Sequence, residues 1–137
     1  MCFQNATSLI GRLSHVSIAT SDIDKASAFY KNLGAKVSEK VAHEEYGVYT
    51  AYVELPNTKL ELFCPLKEKI WSSFIQGFLE RDKMNGIHHI CLQVKDINQK
   101  QGIRKLSKEA SSGAPAKLPI FLNPEDCGGV LIELEQE

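Results

Sequence analysis

The chain has 137 residues, the size of one domain and enough to bury an apolar core without crosslinks. Hydrophobic residues make up 43% of it and charged residues 24%, a balance typical of a soluble globular protein rather than a disordered or fibrous one. The net charge of -1 and the lack of any long apolar run give no reason to expect a nucleic-acid or membrane partner.

The first half of the chain is predicted to form a βαβββ module. Residues 13–20 alternate as a strand does, and Asp22 is placed to cap a helix that stops at Gly34. We expect that helix to bury a stripe made of Ala26, Phe29, Tyr30 and Leu33. Three further strands are predicted at 37–41, 48–55 and 59–63, the last two joined at the turn signal Pro56, Asn57.

The rest of the chain is predicted to hold a linker helix and a second βαβββ module. Residues 67–82 place Trp71, Phe74 and Phe78 on one stripe, which indicates an amphipathic helix with a buried apolar face. The second half begins at Gly86, and its helix after Asp96 is weakened by Gly102. Strands at 118–122 and 130–134 flank the turn-rich NPEDCGG. We therefore expect one α+β domain, residues 1–137, with modules at about 11–64 and 86–137.

The number and spacing of the cysteines indicate the cellular compartment in which the chain works. Cys2, Cys64, Cys91 and Cys127 are widely spaced and form no C-x-x-C pair. A chain of this length does not need disulfides to fold. We therefore expect reduced thiols and an intracellular compartment.

An internal repeat relates the two halves. LSHVSIATSDIDK, from Leu13, matches IHHICLQVKDINQ, from Ile87, so that His15 pairs with His89 at an offset of 74 residues. The segment TKLELF around Glu61 likewise matches VLIELE around Glu133. The shared spacing implies two homologous halves.

The repeat places one His and one Glu on strands of each half. Because strand side chains alternate between faces, His15 shares its face with Ser17, and the apolar neighbours point the other way. Packing the halves about a pseudo-twofold axis would bring four side chains together, namely His15, Glu61, His89 and Glu133. Two imidazoles with two carboxylates suit divalent Zn, Co, Mn, Ni or Fe and leave positions for water or substrate.

The other two histidines are predicted to lie outside this site. His88 is one position off the face of His89, which favours a packed or capping role. His43 stands between Ala42 and Glu44 in a polar segment, which favours a surface position.

These segments resemble the vicinal oxygen chelate superfamily and, within it, the methylmalonyl-CoA epimerase family. The resemblance covers nearly the whole chain and is carried by SHVSIATSDIDKASAFY, NTKLELFCPL, GIHHICLQV and FLNPEDCGGVLIELEQE. It implies a curved mixed sheet around a metal cleft. It also implies one divalent metal ion (Co, Mn, Zn, Ni or Mg) with four ligands, which are His15, Glu61, His89 and Glu133.

The same resemblance implies an isomerase of propionate metabolism with an acyl-CoA substrate. It would epimerise (2R)- and (2S)-methylmalonyl-CoA by removing the C2 proton through a metal-stabilised enolate. Glu133 and Glu61 are the expected proton-transfer groups, with Glu133 the main base and Glu61 chiefly a ligand. We also expect a homodimer in the mitochondrial matrix, although no transit peptide is evident in the sequence.

The chain departs from the family pattern in two places. Some members carry a second base just beyond a Gly-Val pair, whereas here Gly47 and Val48 are followed by Tyr49 and Thr50. The reserve candidates for that role are Glu44 and Glu45. The helix after Asp96 is also short for the family.

The residues alone are also compatible with two other classes of protein. One is a glyoxalase-like isomerase or an extradiol dioxygenase on the same fold, the latter with two His and one Glu around Fe(II). The other is a non-catalytic small-molecule-binding protein that uses the cleft without the metal.

Overall fold

The computed structural model describes residues 10–45, 47–66, 86–97 and 120–137. The predicted linker helix at 67–82, with Trp71, Phe74 and Phe78, lies outside these residues, as do the second-half helix and residues 118–119. The strands are β1 Ile10–Ala19, β2 Lys36–Val37, β3 Val41–His43, β4 Val48–Glu54, β5 Lys59–Pro65, β6 Gly86–Val94, β7 Ile120–Leu122 and β8 Ile132–Gln136. One α-helix, α1 Ile23–Asn32, and strands paired in both senses confirm the α+β class. Within the described ranges, no helix is both long and apolar enough to cross a membrane.

The chain divides into two compact units. The central unit is residues 15–88, and the terminal unit joins residues 1–14 to residues 89–137. The division falls inside β1, which therefore contributes to both units. The predicted modules at 11–64 and 86–137 stay a prediction.

The sheet of the central unit is mixed, and α1 covers one of its faces. Strands β2 and β3 pair antiparallel with β4, β4 pairs antiparallel with β5, and β5 pairs parallel with β1. The core between sheet and helix consists of Ile23, Ala51, Val53, Leu62 and Cys64. Burial raises the pKa of the Cys64 thiol, because a thiolate is poorly solvated there.

Helix α1 begins and ends where the sequence predicts, but it buries a different stripe. Asp22 caps it by accepting a hydrogen bond from the Lys25 N–H at 3.0 Å, and Gly34 ends it with a φ of 90°. The buried side is formed by Ile23, Ala26 and Tyr30. Phe29 and Leu33 are 57% and 70% exposed, so their predicted burial is wrong. Phe29 and Leu33 lie outside the helix face that packs on the sheet through Ile23 and Tyr30. The Phe29 ring instead packs edge-on against the Tyr30 ring.

The strand predicted at 37–41 is two short strands separated by a β-bulge. Ser38 bonds to Tyr52, giving its N–H to the Tyr52 carbonyl at 2.9 Å and accepting the Tyr52 N–H at its Oγ at 2.8 Å. Val41 then pairs with Thr50. The chain therefore advances three residues from Ser38 to Val41 while the partner strand advances only two, from Tyr52 to Thr50. The difference is one extra residue on the β2–β3 side. One extra residue in an edge strand reverses which side chains face which side of the sheet beyond it.

The terminal unit repeats the same pairing on a smaller scale. Strand β6 pairs parallel with β8, and β8 pairs antiparallel with β7 around a core of Val94, Leu122 and Leu134. The start of β1 also belongs here, since the Arg12 Nε donates to the Gln93 Oε1 at 3.2 Å. The NPEDCGG segment forms the predicted turn, with a 3-10 helix at Pro124–Asp126 that leads into β8.

Candidate active site

His15 and Glu61 lie side by side in the central unit. Strands β1 and β5 run parallel, with Ser17 opposite Glu61, and this register puts the side chains of all three residues on one face. The His15 Nε2 is 3.8 Å from the Glu61 Oε1. His15 is only 7% exposed, so this imidazole lies in a largely desolvated position.

Two hydroxyl groups hold the Glu61 carboxylate. The Ser17 Oγ donates to Oε1 at 2.9 Å, and the Tyr52 hydroxyl donates to Oε2 at 2.8 Å. Tyr52 is the residue directly opposite Glu61 on β4. Sequence reasoning placed Ser17 on this face but missed Tyr52, because the β4–β5 register is needed to find it. Both oxygens of Glu61 are therefore engaged by donors of its own sheet.

His89 and Glu133 form the matching pair of the terminal unit. The His89 Nε2 and the Glu133 Oε2 are 2.8 Å apart, on the parallel strands β6 and β8. The Phe121 ring, directly opposite Glu133 on β7, packs edge-on against the His89 ring with 5.0 Å between the ring centroids. His89 is 6% exposed.

The two pairs occupy equivalent positions but have different neighbours. Ser17 stands opposite Glu61 as Cys91 stands opposite Glu133. Tyr52 and Phe121 are likewise the antiparallel partners of the two glutamates. A phenyl ring has no hydroxyl, so the bond that Tyr52 gives to Glu61 cannot be repeated at Phe121. The two halves therefore share the His and the Glu, but the residues that contact each Glu differ between the halves.

The donor atoms fit a divalent metal ion. Two ligands at about 2.0 to 2.2 Å from one ion lie roughly 3 to 3.5 Å apart. The two His–Glu separations, 3.8 and 2.8 Å, bracket that spacing within each unit. Buried imidazole nitrogens beside carboxylate oxygens are also the donors that such ions prefer.

The other predicted histidines and acids are placed as follows. His88 packs edge-on against the Phe63 ring, with 5.2 Å between the ring centroids, which confirms its packed role. His43 is a partly exposed surface residue, as predicted, at the end of β3; its side chain is 35% exposed and its Nε2 lies 2.8 Å from the Thr50 Oγ1. Glu44 and Glu45 are exposed, and a Glu45 oxygen is 3.8 Å from the His43 Nδ1.

Comparison with known proteins identifies the family. Residues 14–115 match the family described as the Glyoxalase/Bleomycin resistance protein/Dioxygenase superfamily. The human protein named "Methylmalonyl-CoA epimerase, mitochondrial" is 53% identical over 134 residues, covering 93% of this chain and 74% of the human protein. The chain belongs to the methylmalonyl-CoA epimerase family of that superfamily. This confirms the resemblance that the sequence motifs carry.

Solved structures of methylmalonyl-CoA epimerases share the fold. The Mycobacterium tuberculosis enzyme superposes with a TM-score of 0.78 at 32% identity, covering 97% of this chain and 92% of that one. A Streptomyces coelicolor methylmalonyl-CoA epimerase in complex with 2-nitronate-propionyl-CoA gives a TM-score of 0.76 at 30% identity, covering 95% and 99% of the two chains. As a member of the methylmalonyl-CoA epimerase family, the chain is an isomerase with an acyl-CoA substrate.

Proposed function

We propose that the chain interconverts (2R)- and (2S)-methylmalonyl-CoA by taking the C2 proton from one face and returning a proton to the other. The observation that supports this most is the duplicated His–Glu pair, His15 with Glu61 and His89 with Glu133, at matching positions of two parallel strand pairs. The family membership of the chain supports the same reaction.

The proposed ligands of one divalent ion (Co, Mn, Zn, Ni or Mg) are His15, Glu61, His89 and Glu133. When bound, such an ion supplies Lewis-acid stabilisation of the negative charge that develops on the substrate oxygens, worth several kcal/mol. The residues contribute orientation: the Ser17 and Tyr52 hydroxyls fix the Glu61 carboxylate, and the edge of the Phe121 ring supports His89.

Glu133 is the proposed proton-transfer group on one face of the substrate. A base must bring an oxygen to the proton that it takes. Glu61 meets this requirement poorly, because both of its oxygens already accept hydroxyl hydrogen bonds. Glu133 stands opposite Phe121, which offers no hydroxyl hydrogen bond, and its Oε2 lies 2.8 Å from the His89 Nε2, a group that can itself exchange a proton. Glu61 accordingly acts as a ligand in this proposal.

The proposed setting is a homodimer in the mitochondrial matrix. The human relative carries the word mitochondrial in its name, whereas the Mycobacterium tuberculosis and Streptomyces coelicolor enzymes are bacterial. Import of the fluorescently tagged full-length protein into mitochondria would test the compartment, and sedimentation velocity would test the dimer.

The decisive experiment follows C2 deuterium uptake by methylmalonyl-CoA in deuterated water, together with the metal content of the purified protein. We expect exchange with the wild type, and loss of both exchange and bound metal in His15→Ala and His89→Ala variants that keep the wild-type circular dichroism. His88→Gln is the matched control, because it changes the histidine next to His89 and should leave exchange intact. Full exchange in either ligand variant would contradict the assignment.

The same experiment separates the other classes. A dioxygenase of this fold would consume oxygen and give no C2 exchange. A binding protein would retain the ligand without labelling it, and a glyoxalase-like isomerase would act on a different substrate. The described His–Glu pairs and the epimerase relatives favour proton exchange over each of these outcomes.

A further inference from the structure

We propose that Lys59 binds the carboxylate of the acyl group and so selects acyl-CoA substrates that carry a free carboxylate over those that lack one. The inference deepens the proposed function and rests on it, because methylmalonyl-CoA has a carboxylate on the carbon that is inverted. Lys59 and the residues around it all belong to the central unit. The role assigned to Lys59 is binding, with no transfer of its own proton.

Lys59 lies on the same sheet face as the two proposed ligands of the central unit. It is two residues before Glu61 on β5 and directly opposite His15 on β1. Side chains at these positions point to one side of a sheet. That side is turned away from α1, because the alternate residue Leu62 packs in the core under the helix. Lys59 therefore places a positive charge beside both ligands.

The Tyr52 ring holds the ammonium group on this face. The Lys59 Nζ is 4.8 Å from the centroid of that ring, a cation–π distance. The hydroxyl of the same tyrosine donates to the Glu61 Oε2 at 2.8 Å. The Lys59 side chain is half-buried, whereas that of Lys36 on the edge strand β2 is 83% exposed. One tyrosine thus orients both the ligand carboxylate and the ammonium group.

The ammonium group is not paired with an acid of the described sheet. Glu54 stands directly opposite Lys59 on β4, but one of its oxygens lies 3.7 Å from the Lys36 Nζ instead. Among the residues that the structure describes, no carboxylate oxygen lies within 4.0 Å of the Lys59 Nζ. An ammonium group has three N–H donors, and its contact with a ring occupies only one side of it. The other donors suit the oxygens of a substrate carboxylate.

The charges of the proposed ligand set favour a further cation at this place. Two glutamate ligands carry two negative charges, which balance the two positive charges of a divalent ion. The loaded site then has no net charge with which to attract an acyl group that is itself an anion. Lys59 adds one positive charge beside His15 and Glu61. A hydrogen bond from an ammonium group to a carboxylate is roughly twice as strong as one between neutral groups.

The position of Lys59 favours the acyl carboxylate over the phosphates of coenzyme A. Both are anions that an ammonium group binds. The carboxylate, however, is bonded to C2, where the proposed reaction occurs, and Lys59 stands directly opposite the proposed metal ligand His15. The phosphates are separated from the thioester by the long pantetheine arm. A lysine beside the ligands therefore meets the acyl end of the substrate.

Titration calorimetry of the Co²⁺-loaded protein with methylmalonyl-CoA and with propionyl-CoA tests the assignment. The two ligands share coenzyme A and differ by the carboxylate. Lys59→Met removes the charge and keeps an unbranched side chain over the Tyr52 ring. We expect this variant to bind methylmalonyl-CoA about 10-fold or more weakly than the wild type does, and propionyl-CoA equally well. An equilibrated mixture of the epimers is used throughout, so epimerisation does not disturb the comparison.

Two further variants separate a direct contact from a general effect of charge. Lys59→Arg keeps the positive charge and should restore most of the affinity for methylmalonyl-CoA. Lys36→Met removes a lysine from the exposed edge of the same sheet and should leave both affinities unchanged. The metal content of all three variants should equal that of the wild type, because none of them removes a proposed ligand.

Equal weakening of both ligands in Lys59→Met would assign the lysine to the coenzyme A phosphates and overturn the proposal. Unchanged affinity for methylmalonyl-CoA in that variant would overturn it as well. A wild type that bound methylmalonyl-CoA through Lys59 but gave no C2 exchange would instead overturn the proposed function and leave the carboxylate contact in place.

Discussion

Glu61 and Glu133 occupy equivalent positions of the repeat, but the residues that face them have diverged. Tyr52 and Ser17 each give a hydroxyl hydrogen bond to Glu61, whereas the positions facing Glu133 hold Phe121 and Cys91. A hydrogen bond to an ionised group is worth roughly 1.5 to 3 kcal/mol. The two bonds are therefore strong enough to select one orientation of the Glu61 carboxylate.

The first prediction at this scale concerns Tyr52. Tyr52→Phe keeps the ring but removes the donor to the Glu61 Oε2, so the ligand carboxylate loses part of its restraint. We expect metal affinity to fall by about 10-fold or more, measured by competition with a chelator of known affinity. Tyr49→Phe, on the opposite face of the same strand, is the matched control. Equal affinities for the two variants would show that the Tyr52 bond does not orient a ligand.

The second prediction separates the two glutamates. Glu133→Gln keeps an oxygen for the metal but removes the proton acceptor, so turnover should fall by about 100-fold or more while some metal remains bound. Glu61→Gln should lower turnover only modestly, because an amide oxygen can replace a carboxylate that serves only as a ligand. Steady-state rates and metal content of the two variants check this. A larger loss in Glu61→Gln than in Glu133→Gln would reverse the assigned roles.

At the scale of the strand, the β-bulge after Ser38 shows what sequence patterns predict and what they leave out. The two-residue alternation of strand side chains predicted that His15 and Ser17 share one face. The internal repeat matched Glu61 to Glu133 without knowledge of how the strands pair. Neither pattern reveals an extra residue in β2–β3, because the bulge is defined by the cross-strand bonds between Ser38 and Tyr52. For the same reason the sequence pattern does not predict that the His43 Nε2 lies 2.8 Å from the Thr50 Oγ1.

A deletion tests the role of the bulge directly. Removing Glu39, an exposed residue of the bulge, should restore the regular register and turn His43 away from Thr50. We expect a folded protein in which His43 no longer lies within hydrogen-bond distance of the Thr50 Oγ1. Nuclear Overhauser contacts between the side chains at positions 42 and 48 would report the reversed face. A contact between His43 and Thr50 that survived the deletion would show that the bulge does not decide which side His43 faces.

At the scale of the whole molecule, stability depends on the core under α1 rather than on the aromatic residue that the helical pattern favoured. Leu62 is 0% exposed and Phe29 is 57% exposed. Leu62→Ala should lower the free energy of unfolding by about 2 to 5 kcal/mol. Phe29→Ala should change it by less than about 1 kcal/mol. Urea denaturation of the two variants measures both values, and a larger loss in Phe29→Ala would contradict the packing.

The division of β1 between the two units has a consequence for the order of folding. Residues 10–14 belong with residues 89–137, so the terminal unit joins two ends of the chain across everything between them. Closing a loop of that length from an unfolded chain costs about 4 kcal/mol of entropy. A central unit that has already folded brings those ends closer and reduces the cost. We therefore expect residues 10–14 to pair after the central unit has folded, and a truncation through residue 14 would injure the terminal unit, whose other residues begin at His89.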